Sequence, residues 1–180
     1  PWKVYQYYGD KRLLEKYYEP MKQYVAHLTS RSQDHIVDYG LGDWFDLGPK
    51  NPGKAQLSSL AATATPIYYM DVEILRKTAQ MLGKKNDQAY FDQLAKDIRR
   101  SYNAKYYHPE QGYYDRNSQT ANAIAIYSGL VEPQNKQKVL QNLIADIRQR
   151  GNALTGGDVG YTYILRVLEE NNASDVIFDM

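Results

Sequence analysis

Residues 118–129 read Ser118-Gln119-Thr120-Ala121-Asn122-Ala123-Ile124-Ala125-Ile126-Tyr127-Ser128-Gly129, and this stretch decides the fold. Ser118 is a hydroxyl residue suited to capping a helix start, and Gly129 is the residue type that ends one. Between them the apolar side chains fall on nearly every side of a helix rather than on one stripe, so the helix has to be buried on most sides. The neighbouring helices differ. Residues 86–102 carry Tyr90, Phe91, Leu94, Ile98 and Tyr102 on one face, and residues 135–150 carry Val139, Leu143, Ile144 and Ile147 on one face, with polar residues elsewhere. Residues 159–168 are again apolar nearly all round. Apolar and amphipathic helices therefore alternate, as inner and outer helices do in a double-layered helical ring. No strict repeat motif is visible, which argues against a regular solenoid.

Working outward, the periodicity predicts a helix over Asp10–Leu28 with Leu13, Leu14, Tyr17, Met21, Tyr24, Val25 and Leu28 at helical spacing and Asp10 able to cap it. Pro20 lies inside it and should kink or break it, because proline removes a backbone donor and crowds the preceding turn. From Arg31 to Lys54 the pattern stops amid Gly40, Gly42, Gly48, Pro49, Pro52 and Gly53, which reads as a long loop of the kind that carries function. A helix over Ser58–Leu82, ending at Gly83, contains Pro66 as a possible division. A loop over Asn103–Asn117 precedes the deciding stretch, and a glycine-bearing loop, Thr155–Gly157, leads into a helix from Asp158 to about Glu170. A last helix begins near Ser174. Strand signals are nearly absent, so the expected fold is all-α, one helical domain over residues 1–180.

The totals narrow the function classes. A net charge of +1 offers no strong field for nucleic acid or an anionic membrane, and no apolar run approaches the length of a bilayer span. With 0 cysteines, disulfides, cysteine–zinc sites and thiol nucleophiles are all removed. His27, His35 and His108 share no metal-ligand spacing, so neither a metal nor another cofactor is expected. The 18 tyrosines, against 3 phenylalanines and 2 tryptophans, suit half-packed, half-wet surfaces such as sugar-binding clefts, although helix packing with hydroxyls reaching solvent explains most single tyrosines. The start at Pro1, without an initiator Met or a leader, suggests a fragment or a processed form.

Three segments carry a family resemblance: Gly40-Leu41-Gly42-Asp43-Trp44-Phe45-Asp46, then Ser118-Gln119-Thr120-Ala121-Asn122-Ala123, then Thr155-Gly156-Gly157-Asp158-Val159-Gly160-Tyr161 running on through Thr162-Tyr163-Ile164-Leu165-Arg166-Val167-Leu168. In order and separation they resemble bacterial α-L-rhamnosidases of glycoside hydrolase family 78, and the resemblance covers essentially the whole chain. It implies part of an (α/α)6 toroid whose active site lies at the mouth formed by the loops entering the inner helices. It also implies a rhamnose-containing glycan or glycoside as the partner and hydrolysis with inversion by a Glu acid and a Glu base. The family's acid-bearing Asp-Glu-Arg segment lies upstream of the region matched by Pro1, and its base lies downstream of the region matched by Met180. No catalytic role is therefore carried onto this chain, and the 180 residues alone are expected to be inactive. Relatives are commonly periplasmic, secreted or cytosolic, and a periplasmic or secreted parent is the favoured location.

The expected sugar-contacting residues are Asp43, Trp44, Tyr114, Gln119 and Asp158. Indole stacks on a sugar face, and a carboxylate can hold two hydroxyls. Against this, Trp44 can plug the core, Asp43 can cap a turn, and Asp158 can cap the helix that follows it. Tyr113 and Tyr114 can be ordinary loop packing, and Gln119 and Thr120 can serve the helix N-terminus. Asp46 reads as a structural turn residue, and His108-Pro109-Glu110 as a surface turn. Two rival functions stand: another helical-ring enzyme acting on uronates, trehalose-like or mannose-type sugars, and a non-catalytic helical carbohydrate-binding or interaction module. Half a ring would leave Ala121–Ala125 and Val159–Leu168 partly uncovered, so self-association of the isolated chain is expected.

Overall fold

The computed structural model describes residues 1–180. Nine α-helices follow in order: α1 (Trp2–Tyr8), α2 (Arg12–Lys16), α3 (Tyr18–Arg31), α4 (Ala61–Met81), α5 (Lys85–Tyr106), α6 (Gln119–Ser128), α7 (Lys136–Gln149), α8 (Gly160–Glu170) and α9 (Ser174–Asp179). The only paired strands are β1 (Tyr107–His108) and β2 (Tyr113–Tyr114), an antiparallel hairpin in which Tyr107 faces Tyr114 and His108 faces Tyr113. His108-Pro109-Glu110 enters its turn, as expected of that tripeptide.

The deciding stretch forms as its sequence directs. The Ser118 hydroxyl accepts from the Ala121 N–H at 3.1 Å, and Gly129 closes α6 in the left-handed region at φ 81°. Every residue from Gln119 to Ile126 is buried. The helix packs against both α4 and α8, while α7 covers it from outside; α5 lies on α4, and α9 on α8. The inner layer is thus α4–α6–α8, and α3, α5, α7 and α9 form the outer one. One expectation fails here. Ala121–Ala125 is not left uncovered, because its two inner neighbours and α7 enclose it within this chain. Val159–Leu168, the other stretch expected to be partly uncovered, does present an open face, and α8 is amphipathic: Ile164, Val167 and Leu168 are buried, whereas Tyr161, Thr162 and Arg166 are exposed.

Of the two prolines, Pro20 accompanies the expected break in the first helix, whereas Pro66 does not divide its own. The chain breaks at Tyr17, ahead of Pro20, which then occupies the first turn of α3 where no N–H is required. Pro66 lies inside α4 without dividing it. Proline at 66 cannot donate to the carbonyl of Ala62, and that carbonyl accepts from the buried hydroxyl of Tyr102 on α5 at 3.3 Å. The orphaned acceptor is satisfied from the next helix, so α4 continues. The first long loop extends to Leu60, beyond the expected end at Lys54, and α5 runs one turn further than expected, to Tyr106. The short helix α1, ended by Gly9 at φ 66°, was not anticipated.

Candidate functional site

Each inner helix is entered through a loop: residues 32–60 into α4, 109–118 into α6 and 150–159 into α8. These loops bond to one another, so they share one end of the inner layer. The Ser59 N–H donates to Asp115 Oδ2 at 2.8 Å, joining the first loop to the second. The Leu47 N–H donates to the Thr155 carbonyl at 3.0 Å, and the Asp158 N–H to the Trp44 carbonyl at 2.8 Å, joining the first to the third. The contact between them leaves no slack: a Cβ on Gly157 would stand 2.1 Å from the Trp44 carbonyl oxygen.

Five residues were expected at this mouth, and they divide into two groups. Trp44 and Asp158 retain accessible surface. The Trp44 ring is half-buried and meets Phe45 edge-on, with centroids 5.5 Å apart at 68°. Asp158 is exposed and lies at the edge of the large cavity described below. It is not the helix cap: α8 starts at Gly160 with no side-chain bond from its own N-terminal flank, and the Asp43 carboxylate takes the Gly160 N–H instead.

The side chains of Asp43, Gln119 and Tyr114 are enclosed and fully engaged within the protein. Asp43 is 1% exposed and accepts from the Thr120 hydroxyl at 2.5 Å, the Gly157 N–H at 2.9 Å and the Gly160 N–H at 2.7 Å. Gln119 donates to Asp146 Oδ2 at 2.9 Å and to the Ala153 carbonyl at 3.0 Å, and accepts from the Thr155 N–H at 2.9 Å. Tyr114 stacks on Tyr102 at 5.6 Å and 18°, and its hydroxyl donates to Asn103 Oδ1. Burial pushes both phenols well above the ordinary tyrosine range. Tyr113 rests on His108. Asp46, read as a turn residue, is buried and accepts the N–H groups of Gln56 and Leu57 at 2.7–3.0 Å, which folds the first loop back on itself.

Two hollows open along the inner layer. The larger, 1070 Å³, is lined by Trp2, Met70, Tyr127, Asp158, Tyr163 and Arg166 among others. Of these only Asp158 was anticipated. Tyr163 and Arg166 lie in the third motif segment, whose pattern marks no role for their side chains, and Trp2 lies on α1, which carries no clear helix signal in the sequence. Tyr127 and Tyr163 pack at 5.0 Å, and burial raises the Tyr163 phenol. The smaller hollow, 420 Å³, runs between α2, α3 and α4 and is mostly apolar. Asp71 on α4 touches both, and loss of hydration raises its carboxyl to about 6. No group of three or more His, Asp or Glu side chains converges as metal donors.

Comparison with known proteins gives this arrangement a family. Residues 1–180 match the bacterial α-L-rhamnosidase six-hairpin glycosidase domain. The α-L-rhamnosidase of Dictyoglumus thermophilum is 35% identical and superposes with a TM-score of 0.92, over 99% of this chain and 20% of that one. A curated α-L-rhamnosidase of Formosa agariphila is 28% identical over 100% of this chain and 20% of its own length. The α-L-rhamnosidase of Streptomyces avermitilis, solved with L-rhamnose, shares the fold at a TM-score of 0.86 and 24% identity, over 98% of this chain and 16% of that one. The layers seen here are a portion of the (α/α)6 toroid, and the chain spans about a fifth of the length of the relatives it matches. With every residue covered by the family's pattern, the chain belongs to the bacterial α-L-rhamnosidase six-hairpin glycosidase domain family.

Proposed function

We propose that this chain supplies part of the sugar-binding wall of an enzyme that hydrolyses terminal α-L-rhamnosidic bonds with inversion, and that the general acid and general base stand on segments outside these 180 residues. The observation that carries this reading is the junction of the first and third mouth loops. There the Asp158 N–H bonds the Trp44 carbonyl, so an indole and a carboxylate with free surface come from adjacent positions on two loops. Indole offers an apolar plane to a ring face and to the methyl of a deoxy sugar, and a carboxylate accepts from sugar hydroxyls. The family relationship supplies the substrate class, since the curated relatives are α-L-rhamnosidases.

Inversion needs two carboxyl groups roughly 6.5–9.5 Å apart, one protonating the leaving oxygen and the other activating water on the opposite face. In this reading the present residues orient the sugar between such a pair. Holding the reacting ring in register is itself catalytic, because misplacement by about 1 Å costs on the order of a hundredfold in rate.

The test uses the full-length protein that carries this chain, with p-nitrophenyl α-L-rhamnoside as substrate. Trp44→Ala is expected to raise KM about tenfold, the equivalent of an aromatic contact of roughly 1.4 kcal/mol. Asp158→Asn is expected to weaken competition by free L-rhamnose. Unchanged kinetics in both variants would remove this junction from the subsite.

A further inference from the structure

Asp43 uses both carboxylate oxygens inside the protein. Oδ1 accepts from the Gly160 N–H, and Oδ2 accepts from the Gly157 N–H and the Thr120 hydroxyl. Its partners lie 77, 114 and 117 residues away in sequence. They are the first turn of α6, the turn of the third mouth loop and the first residue of α8. A carboxylate at a helix N-terminus meets unsatisfied N–H groups and the positive end of the helix dipole. Asp43 therefore closes α8 from another loop. The fit is tight: a Cβ on Gly160 would stand 2.0 Å from Thr120 Oγ1 and 2.7 Å from Asp43 Oδ2.

Trp44 follows Asp43 in sequence, and Asp158 follows Gly157. The bonds of Asp43 therefore fix the backbone immediately before each of the two accessible residues. We infer that Asp43 is a positioning residue for the sugar subsite: by joining Thr120, Gly157 and Gly160 it sets the Trp44 ring and the Asp158 carboxylate relative to each other. This inference rests on the reading of Trp44 and Asp158 given above.

Asparagine at this position has one acceptor oxygen and an NH₂ group in place of the other, so at least one of the three donors faces a donor. The experiment uses the full-length protein with Asp43→Asn, Thr120→Val and Thr120→Ser. It measures kcat and KM on p-nitrophenyl α-L-rhamnoside, inhibition by L-rhamnose, and amide hydrogen exchange across residues 155–160.

In Asp43→Asn the amides of Gly157 and Gly160 are expected to exchange at least about tenfold faster, and KM and the L-rhamnose inhibition constant to rise about tenfold or more, in line with losing hydrogen bonds to a carboxylate. Thr120→Val should show a smaller rise, with Thr120→Ser, which keeps the hydroxyl, returning towards the wild-type values. A folded Asp43→Asn protein with unchanged KM and inhibition constant overturns the inference. If that variant does not fold, Thr120→Val carries the test, and the absence of any rise overturns it equally. A wild-type protein inert towards rhamnosides would sink the proposed function. In that case the exchange measurement still decides the clamp, since unchanged exchange at Gly157 and Gly160 in Asp43→Asn overturns it.

Discussion

Asp71 is a carboxylate without a hydrogen-bonding or ionic partner in the chain, on an inner helix, between an apolar groove and the large cavity. Loss of hydration raises its carboxyl from 3.8 to about 6. The folded state therefore holds this proton more tightly than the unfolded chain does. Below about pH 3 both states are protonated and Asp71 costs nothing; between about pH 3 and 6 the stability falls, and above that the penalty is constant at no more than about 3 kcal/mol. Asp71→Asn should raise the Tm of this chain at pH 7.5, by about 2–4 °C per kcal/mol relieved, and should change it far less at pH 4. Thermal melts at the two pH values check this, and an equal shift at both would contradict it. Other single residues were only partly legible. That Asp43 and Trp44 sit in a long loop ahead of an inner helix follows from the sequence pattern. That Asp43 would be consumed by Thr120, Gly157 and Gly160 does not, because those partners are set by which loops the ring brings together. Gln119 is similar: an amide at a helix start reads as a local bond or a ligand contact, whereas here it pins Ala153 and Thr155 of a distant loop.

At the scale of elements, local signals with local partners were readable. Ser118 and Gly129 bound α6 as their residue types direct, and the one-sided apolar patterns of α5 and α7 place Phe91, Ile98, Val139 and Leu143 in the core. Signals whose outcome depends on a neighbouring helix were not. Pro66 is a break in isolation, and α4 survives it because Tyr102 answers the freed Ala62 carbonyl across the helix pair. Tyr102→Phe should therefore destabilise the protein by about 1–3 kcal/mol, since it leaves that buried acceptor without a partner while preserving the ring packing against Tyr106 and Tyr114. Urea unfolding measures this, with the slope unchanged; a loss below about 0.3 kcal/mol would show that α4 does not depend on the hydroxyl. The amphipathic α8 makes the same point from the other side. Its sequence looks apolar nearly all round because the tyrosine rings count as apolar, yet Tyr161 stands exposed and Tyr163 lines a cavity.

The whole molecule is an arc of paired helices with its loops bonded together at one end and a hollow along its inner face. The all-α, two-layered architecture was readable because burial on every side of one helix and on one side of the next is a property of sequence alone. The hollow was not, because cavities arise where elements fail to meet. In the proposed function these residues hold a rhamnose while groups elsewhere break its bond. Side-by-side hydrolysis of p-nitrophenyl α-L-rhamnoside by the 180-residue chain and by the full-length protein carrying it separates these two roles. Turnover by the full-length protein alone is expected; turnover by the 180-residue chain would place the acid and base within it, and silence from both would contradict the rhamnosidase reading itself.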